Sequence, residues 1–590
     1  MSTDEGRTKG APKNPDRAAA GAGADSGWVM SWAGDGEEAL LEVTAGGAAA
    51  VAVGQHAQRL ADAHIASRIA ANDASLWGPA AEADSARRLG WTALYATTRA
   101  ILPALERLRV ELAADGLDRV VLAGMGGASL AAEVITQTAG VPLVVLDSTD
   151  PEQVRTALAG DLARTVLVVS SKSGDTVETD SQRRVFEAAF TVAGLDAARH
   201  LVAVTDPGSP LEHLAQAAGY RAIFLAEPNV GGRFSALSAF GVVPAALAGV
   251  DVTQLLDDAA EVADILTQDE DSNPAIVLAA SLAGTSPLRD KLVFVDEGSG
   301  LIGLAEWAEQ LVSESTGKAG RGLLPVVTTS PAGEPPELDH PAPDVLAVRF
   351  VPLVESVDDL TGEIALPGDE VTVAGSLGAQ FLLWEYATVV AGHLLGINPF
   401  DQPEIEAAKA AARALLAATP GPEPADFVEH GVEVRATPDL LADIVGVRIE
   451  TVQAVIDALL GSVPDDGYLA VMAFLDRAEH VELASVRDAL AARTGRPVTF
   501  GWGPRFLHST GQLHKGGPPV GVFLQLTASP VVDFPVPGRP FTFGQLISAQ
   551  AADDAAALAA LGRPILRLHL SSPAALAYVT HLLRSRRVPE

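Results

Sequence analysis

Residues 119–129, with the sequence RVVLAGMGGAS, combine a short apolar run with a glycine-rich turn. The run at 119–123 predicts a buried strand, and the residues from Leu130 onward predict a helix. The turn between them opens that helix, so its free backbone amides are placed to bind a phosphate. Ser129 stands where the dinucleotide fingerprint has its third glycine, which argues against a nicotinamide-dependent dehydrogenase.

Apolar runs at 143–146, 166–169, 201–204 and 222–225 predict four more strands, with helical stretches between them. Strands that alternate with helices in this way form a parallel sheet covered by helices on both faces. Ligands of such sheets bind beyond the carboxyl ends of the strands. The loops that follow these strands are therefore the first places to search for a site.

At 590 residues the chain is too long for one hydrophobic core. We predict a disordered tail over 1–27 and a mainly helical segment over 28–115. Two doubly wound parallel-sheet domains, each with three αβα layers, are predicted over 116–265 and 266–590. The second of these carries a linker and a small helical insertion at about 420–465. The predicted fold class is therefore α/β, with helical additions at both ends.

The composition excludes several classes of function. A net charge of −34 argues against binding to nucleic acid or to an anionic membrane surface. The absence of cysteine excludes disulfides, cysteine-based zinc sites and a thiol nucleophile. No uniformly apolar run is long enough for a membrane span, and the N-terminus lacks the pattern of a signal peptide. These features predict a cytoplasmic protein.

A second loop equipped for phosphate follows the predicted strand at 166–169. Residues 170–176, SSKSGDT, offer hydroxyl groups and a lysine ahead of a helix. The alternative is an ordinary hydroxyl-rich helix N-terminus. Two such loops at strand ends of one sheet favour phosphate binding.

The segment Glu309–Lys318, EQLVSESTGK, ends an apolar helix. Gln310 and Glu314 are four residues apart and therefore share one face. A carboxylate in this position can be desolvated, which raises its pKa towards the range useful for a general base. The alternative is a solvated glutamate in the last turn of the helix.

Three further segments carry candidate site residues. Arg233 lies in NVGGRFS (229–235), where two glycines allow a ligand to approach the backbone; the alternative is a connector with a surface arginine. Gln402 ends GINPFDQ (396–402), and Lys409 follows it on the next predicted helix. The segment HSTGQLHKGGP (508–518) has two histidines between strands, for which structural roles are the alternative.

Together these motifs resemble the phosphoglucose isomerase family from about residue 110 to the C-terminus. The branch that they resemble also occurs as the isomerase domain of fusions with transaldolase. The first 100 residues or so are too few for a transaldolase barrel, which needs roughly 200 or more residues. The resemblance implies two sugar isomerase (SIS) domains and interconversion of glucose 6-phosphate and fructose 6-phosphate through a cis-enediolate.

The resemblance also implies roles for individual residues. Glu314 matches the base that moves the proton between C2 and C1, and Arg233 matches the arginine that stabilises the enediolate. His514 matches the ring-opening histidine and Lys409 the lysine that assists it. His508 remains an alternative, although the match of GQLH (511–514) to the family's Gly-Gln-His run favours His514.

The remaining implied roles concern substrate binding and assembly. The residues that match the substrate and phosphate site are Gly126, Gly127, Ser171, Lys172, Ser173, Thr176, Gln310 and Gln402. Many members have a serine where this chain has Ala128, and Ser129 is a possible substitute. The resemblance implies no metal or organic cofactor. It also implies a homodimer with shared active sites, because the family's histidine comes from the neighbouring subunit.

Two other functions compete with this interpretation. An isomerase that acts on mannose 6-phosphate, as well or instead, has nearly the same motifs because the C2 epimers share one enediolate. A sugar-phosphate sensor built on SIS domains keeps the phosphate loops but needs no base. Glu314, Arg233 and His514 together argue against the sensor, as does the net charge of −34.

Overall fold

The computed structural model describes residues 18–22, 28–35, 38–328, 334–353, 368–403, 423–441 and 449–585. Within these ranges the strands form three sheets, and helices pack against them. The predicted α/β class is confirmed. No helix of the described ranges is both long and apolar enough to cross a bilayer.

The N-terminal part begins with an antiparallel meander of three strands. Five helices follow it in the sequence. The strands are β1 (Ala18–Ala22), β2 (Trp28–Asp35) and β3 (Glu38–Gly46). The helices are α1 (Gly47–Asp62), α2 (Ile65–Ala70), α3 (Glu82–Ser85), α4 (Leu94–Thr97) and α5 (Leu102–Ala114). Of the predicted tail over 1–27, only 18–22 is described, and it differs from the prediction because β1 pairs with β2.

The first sheet is the predicted one, and all its strands are parallel. Its strands are β4 (Arg119–Ala123), β5 (Val144–Leu146), β6 (Thr165–Ser170), β7 (Leu201–Thr205) and β8 (Ala222–Leu225), in the order β5-β4-β6-β7-β8. Its helices are α6 (Leu130–Thr138), α7 (Pro151–Leu158), α8 (Val177–Val192), α9 (Pro210–Ala218) and α10 (Ala239–Ala248). Alternate residues of the strands belong to two hydrophobic cores, so helices cover both faces.

The second sheet joins the meander to a parallel half, in the order β1-β2-β3-β12-β11-β9-β10. Its own strands are β9 (Lys291–Asp296), β10 (Leu324–Val327), β11 (Val345–Phe350) and β12 (Glu370–Gly375). The helices of this part are α11 (Val252–Leu266), α12 (Pro274–Ala283), α13 (Leu304–Thr316), α14 (Pro336–Asp339) and α15 (Leu377–Leu395). Because β3 pairs antiparallel with β12, the sheet is mixed rather than purely parallel.

The third sheet has the order β13-β14-β18-β17-β15-β16. Its strands are β13 (Phe427–Glu429), β14 (Val432–Ala436), β15 (Tyr468–Phe474), β16 (Val498–Trp502), β17 (Gly521–Ala528) and β18 (Ile565–Leu570). Its helices are α16 (Val452–Gly461), α17 (Val486–Thr494), α18 (Gly511–Gly516), α19 (Phe543–Ala560) and α20 (Pro573–Arg584).

The third sheet differs from the single domain predicted over 266–590. Among the described residues its strands pair only with one another, and one face of the sheet encloses a hydrophobic core of its own, so this range divides into two units. The other face shares a core with β9, β10 and β11 of the second sheet. The insertion predicted at about 420–465 also differs, because β13, β14 and α16 belong to this third unit. Strand and helix alternation predicts a parallel sheet without saying which sheet a strand joins.

The third unit docks on both of the others. Arg505 forms an ion pair with Glu133 of α6, in the first unit. Arg487 of α17 forms a fully buried ion pair with Glu337 of α14, in the second. The C-terminal unit therefore contacts helices of both other units, and it also shares a hydrophobic core with strands of the second sheet.

Candidate active site

The last turn of α13 forms the centre of the candidate site. Leu304, Trp307 and Leu311 of this helix are buried in the main core, so the helix is fixed along its length. Glu314 is only 4% exposed. The helix ends at Gly317, where an added Cβ would lie 2.4 Å from the Cα of Leu513. A glycine is needed here because α18 of the third unit packs against the backbone.

Glu314 is in contact with two side chains predicted for the site. Its Oε2 lies 3.5 Å from Nη1 of Arg233 and accepts a hydrogen bond from Nε2 of Gln402 at 3.3 Å. These residues come from three separate segments of the chain, yet all converge on one carboxylate. The structure therefore brings Glu314, Arg233 and Gln402 together as predicted.

Arg233 is held rigidly as well as buried. Its Nε donates to Ser315 Oγ at 2.8 Å, and its Nη2 donates to the Pro399 carbonyl at 2.5 Å. Burial lowers the pKa of Arg233, whereas the charges of Glu314 and Asp401 raise it. Arginine nevertheless stays charged in proteins. A fixed cation therefore faces the carboxylate in a site from which most water is excluded.

Gly126 and Gly127, in the turn after β4, are glycines because other site segments press on them. Gly126 has φ of +56°, and an added Cβ would lie 2.9 Å from both Nε2 of Gln310 and the carbonyl oxygen of His508. A Cβ on Gly127 would lie 2.0 Å from the carbonyl oxygen of Gly232. The turn is thus the point where the residues around 310, 508 and 232 meet.

Ser129 and Ala128 lie at the start of α6. The Ser129 hydroxyl is buried and donates to the Gly126 carbonyl at 3.2 Å. The Ala128 carbonyl accepts a hydrogen bond from Ser170 Oγ at 2.7 Å, which ties this turn to the loop after β6. Ser129 therefore supports the turn in this structure.

The loop after β6 is organised by its own side chains. Ser171 Oγ lies 3.1 Å from Thr176 Oγ1 and accepts from the Gly174 amide at 3.1 Å. Ser173 Oγ donates to Asp175 Oδ1 at 2.5 Å. Because β4 and β6 are adjacent and parallel, this loop and the Gly126 turn lie at the same edge of the sheet.

The Lys172 side chain of this loop points away towards a neighbouring loop. Its Nζ lies 2.5 Å from Asp206 Oδ2 and 3.4 Å from the Pro228 carbonyl. Burial lowers the pKa of Lys172, and the contact with Asp206 raises it. The ammonium is therefore engaged within the chain.

Gln310 spans the space between α13 and the third unit. It is 2% exposed, and its Nε2 donates to the His508 carbonyl at 2.8 Å. Its Oε1 is buried and has no hydrogen-bond partner among the described residues. A buried amide oxygen without a partner is costly. This acceptor is suited to a ligand hydroxyl.

His508 lies directly beside the phosphate-type loops. Its Nε2 is 3.0 Å from Oε1 of Glu178, which is in the first turn of α8, and Gln550 Nε2 donates to the same oxygen at 2.7 Å. A carboxylate on one ring nitrogen fixes the tautomer and orients the imidazole. Glu178 was not predicted as a site residue from the sequence, although it lies only two residues beyond Thr176.

His514 is placed elsewhere. It is 3% exposed, its Nδ1 lies 2.9 Å from Tyr468 Oη, and the two rings stack at 5.7 Å between centroids. Burial, together with the charges of Lys515 and Arg563, lowers the pKa of His514 to about 3. It is therefore a buried, neutral residue of the third unit that contacts Tyr468.

Lys409 lies outside the described residues. Its predicted position on the helix after Gln402 therefore stays a prediction. The described residues just before it, up to Pro403, bring Gln402 to Glu314.

Two arginines hold the turn that carries His508. Arg505 Nη1 lies 2.6 Å from carboxylate oxygens of both Glu133 and Asp147. Arg477 Nη2 donates to Glu133 at 2.8 Å. Although burial raises it, the pKa of Glu133 is lowered to about 2 by the charges of these arginines. The cluster keeps the third unit, and with it His508, at the end of the first sheet.

Lys318 binds the segment that carries Pro399 and Gln402. Its Nζ donates to the carbonyl oxygen of Asp401 at 2.6 Å and to Asp401 Oδ1 at 2.7 Å. Burial, together with the charge of Arg233, lowers the pKa of Lys318 from 10.5 to about 8, although Asp401 opposes the shift. This contact positions the segment that supplies Pro399 and Gln402.

The shifted pKa of Lys318 predicts a pH-dependent stability. The pKa of Lys318 is lower in the folded state than in the unfolded state. The contribution of this group to the free energy of unfolding is therefore fully present above about pH 10.5 and is lost as the pH falls towards 8. The thermal midpoint of wild type, relative to Lys318→Met, should therefore decrease as the pH falls from about 10 to 8. Calorimetric scans of both proteins across that range measure it, and a constant difference would contradict the prediction.

Comparison with known proteins identifies relatives of this chain. A sequence model of the phosphoglucose isomerase family matches residues 110–318. A glucose-6-phosphate isomerase of Cyanothece sp. is 32% identical in an alignment 353 positions long, which covers 50% of this chain and 66% of that protein. A probable glucose-6-phosphate isomerase of Haloarcula marismortui is 31% identical over 341 residues, covering 51% of this chain and 78% of that protein.

Among solved structures, a hypothetical protein of Thermus thermophilus has a similar fold. The TM-score is 0.51 at 27% sequence identity, with 62% of this chain and 97% of that chain covered. The chain spans about two thirds of the length of the cyanobacterial relatives that it matches, at 65–66%. The family-model match includes Arg233 and Glu314 but ends before Gln402 and His508, and the likeness does not extend over the whole length of those relatives.

Proposed function

The chain belongs to the phosphoglucose isomerase family, and we propose that it interconverts glucose 6-phosphate and fructose 6-phosphate. The observation that carries this proposal is the buried Glu314 carboxylate beside the fixed guanidinium of Arg233. Aldose–ketose isomerisation needs a base at C2 and a positive charge where the enediolate forms. Both are present, next to loops suited to a sugar phosphate.

In the proposed reaction Glu314 removes the proton from C2 of the open-chain aldose. The electron pair of that C–H bond forms the C1–C2 double bond, and the carbonyl oxygen at C1 takes the negative charge. Arg233 stabilises the charge on the resulting cis-enediolate. The hydroxyl proton on O2 passes to O1, and Glu314 returns a proton to C1 as O2 becomes the carbonyl oxygen, which yields the ketose. The Gln402 contact with Glu314 holds the carboxylate in position for both transfers.

We assign ring opening to His508, which departs from the preference for His514. The contact between His508 and Glu178 leaves the other ring nitrogen of His508 for the sugar ring oxygen. His508 is also linked to the base helix, because its carbonyl oxygen accepts from Gln310. His514 lacks both features, and its depressed pKa makes it a poor proton donor near neutral pH. The assisting role of Lys409 stays a prediction.

The phosphate is proposed to bind at the edge shared by the two loops of the first sheet. Backbone amides of Gly126 and Gly127 would bind its oxygens, together with hydroxyls of the loop after β6 (Ser171, Ser173 and Thr176). Lys172 contributes positive charge without contacting the phosphate directly, because its ammonium is bound to Asp206. The Ser129 hydroxyl supports the turn, so it is not assigned to the phosphate.

We propose that each chain carries a complete site. The resemblance implied a dimer, because the family's histidine comes from a neighbouring subunit. Here the third unit brings His508 to Glu178 and Gln310 of the same chain. A dimer is therefore not needed to complete the site. The homodimer and the cytoplasmic location remain predictions.

The activity is tested by following fructose 6-phosphate conversion, with glucose-6-phosphate dehydrogenase as the coupling enzyme. We expect turnover within the usual enzyme range of roughly 1–1,000 per second. Mannose 6-phosphate in a parallel assay measures how far the C2 epimer is accepted. Tight binding of fructose 6-phosphate without any conversion would contradict the proposal and favour a sensor.

A further inference from the structure

Gln550, on α19 of the third unit, joins two segments of the first unit. Its side chain is almost completely buried. Its Nε2 donates to Glu178 Oε1 at 2.7 Å, and its Oε1 accepts from Thr149 Oγ1 at 2.6 Å. Thr149, in the loop after β5, is itself fully buried. One amide thus connects the loop after β5 to the first turn of α8.

The charge of Glu178 determines the direction of the Gln550 amide. A carboxylate accepts hydrogen bonds, so the amide nitrogen faces it and the amide oxygen faces away. The amide oxygen then lies at Thr149, whose hydroxyl is able to donate. Both ends of the amide are satisfied in this one orientation, so the position of the side chain is fixed.

The carboxylate oxygen that Gln550 binds is the same oxygen that contacts His508. Glu178 Oε1 lies 3.0 Å from Nε2 of His508, and Glu178 is buried. An ionised carboxylate oxygen has lone pairs for both neighbours. Because the two contacts end on one atom, the amide determines where that oxygen lies, and the oxygen in turn orients the imidazole.

The attachment of α19 to the third unit does not depend on this amide. Ile547, Ala551 and Leu558 of the helix are buried in the core that the third sheet shares with the second. The side chain of Gln525, on β17, also donates to the Ala551 carbonyl at 2.9 Å. The bond from Gln550 to Glu178 is therefore additional to the contacts that hold the helix.

We propose that Gln550 is a positioning residue for ring opening, which holds the Glu178 carboxylate against one ring nitrogen of His508 and so keeps the other directed at the sugar. The inference rests on the proposed function for the reaction, whereas the effect on the imidazole is measurable without substrate. Gln550 acts through Glu178 and not on the substrate itself.

The first experiment measures the kinetics of Gln550→Met, which removes both polar contacts of the amide and keeps the length of the side chain. We expect kcat for fructose 6-phosphate to fall by about tenfold with KM changed by less than about twofold, because a misplaced acid–base group slows the chemical step. The open-chain analogue 5-deoxyfructose 6-phosphate should be converted at the wild-type rate. In a Glu178→Gln background, Gln550→Met should cause less than about a twofold further loss.

Gln525→Met is the matched control, because it removes a buried amide that contacts the same helix without reaching Glu178. It should keep the wild-type kcat, even where its thermal midpoint falls. Equal losses of kcat in Gln525→Met and Gln550→Met would overturn the inference, because they would show a general loosening of α19. An equal loss by Gln550→Met on cyclic and open-chain substrates would overturn it as well.

The tautomer of His508, followed by NMR of isotopically labelled histidine, is a readout that needs no activity. His508→Asn identifies the signal. Wild type and Gln525→Met should hold the neutral ring with its proton on Nε2, whereas Gln550→Met should also show the Nδ1–H form. That result in a protein that does not convert fructose 6-phosphate would support the positioning role and overturn the proposed reaction. Unchanged kcat and an unchanged tautomer in Gln550→Met would overturn the inference and leave the reaction intact.

Discussion

Glu314→Gln should lower the turnover of fructose 6-phosphate by roughly a hundredfold or more, as expected for the loss of a general base. Glutamine has the same shape but does not accept a proton from carbon. Arg233 keeps its bonds to Ser315 and Pro399 in this variant, so the geometry of the site is preserved. KM should therefore change by only a few-fold, and kcat and kcat/KM should fall together.

Glu309→Gln is the matched control for this substitution. Glu309 is on the same helix, and burial, together with the charge of Glu306, raises its pKa to about 8, although Arg505 opposes the shift. A glutamate that is already protonated near pH 7 resembles glutamine, so Glu309→Gln should keep nearly full activity. Steady-state kinetics of both variants test the assignment. Full activity in Glu314→Gln would show that another group is the base.

The second large effect is expected for His508→Asn. Removal of the group that protonates and deprotonates the ring should reduce turnover of cyclic substrates by about a hundredfold. His514→Gln is its control, because the amide can still bond to Tyr468 in the buried cluster. We expect His514→Gln to keep its turnover per folded molecule, even where its thermal midpoint falls.

An open-chain substrate separates ring opening from the later steps. 5-Deoxyfructose 6-phosphate lacks the hydroxyl that closes the furanose ring, so it presents the open ketose directly. His508→Asn should convert this compound at close to the wild-type rate, whereas Glu314→Gln should not. An equal loss on cyclic and open-chain substrates would place His508 in the proton transfer instead.

Mixing the two inactive variants tests whether one chain forms the whole site. Glu314→Gln and His508→Asn each keep one of the two residues intact. If the site is formed within one chain, a mixture should stay inactive. Recovery of activity on mixing would mean that His508 acts on the Glu314 of a neighbouring chain.

The first sheet was predictable because its signals are local. Each strand is a short apolar run that a turn or loop separates from a helix, as at 119–129, so neighbours in the sequence determine the structure. The third unit was not separable from the second by the same reasoning. Whether β15 (Tyr468–Phe474) pairs with β17 or with a strand of the second sheet depends on contacts distant in sequence.

The site residues also divide into those predictable from local sequence patterns and those that depend on contacts distant in sequence. Glu314 and Arg233 were identified from segments with distinctive local patterns, and the structure brings them together. The choice between His508 and His514 depends on the burial of His514 against Tyr468. A local sequence pattern does not predict that burial. Glu178 was not predicted as a site residue because a glutamate in the first turn of a helix normally interacts with the helix N-terminus. Its contact with His508 arises only when the third unit docks.

Proton transfer by Glu314 is the central step of the proposed reaction, and deuterium exchange measures that transfer directly. Wild type and Glu314→Gln would each be incubated with fructose 6-phosphate in D₂O, and deuterium at C1 of the ketose and C2 of the aldose followed by NMR. We predict incorporation by wild type, at least tenfold slower in Glu314→Gln. Equal uptake of deuterium by both proteins would contradict an enediolate formed by Glu314.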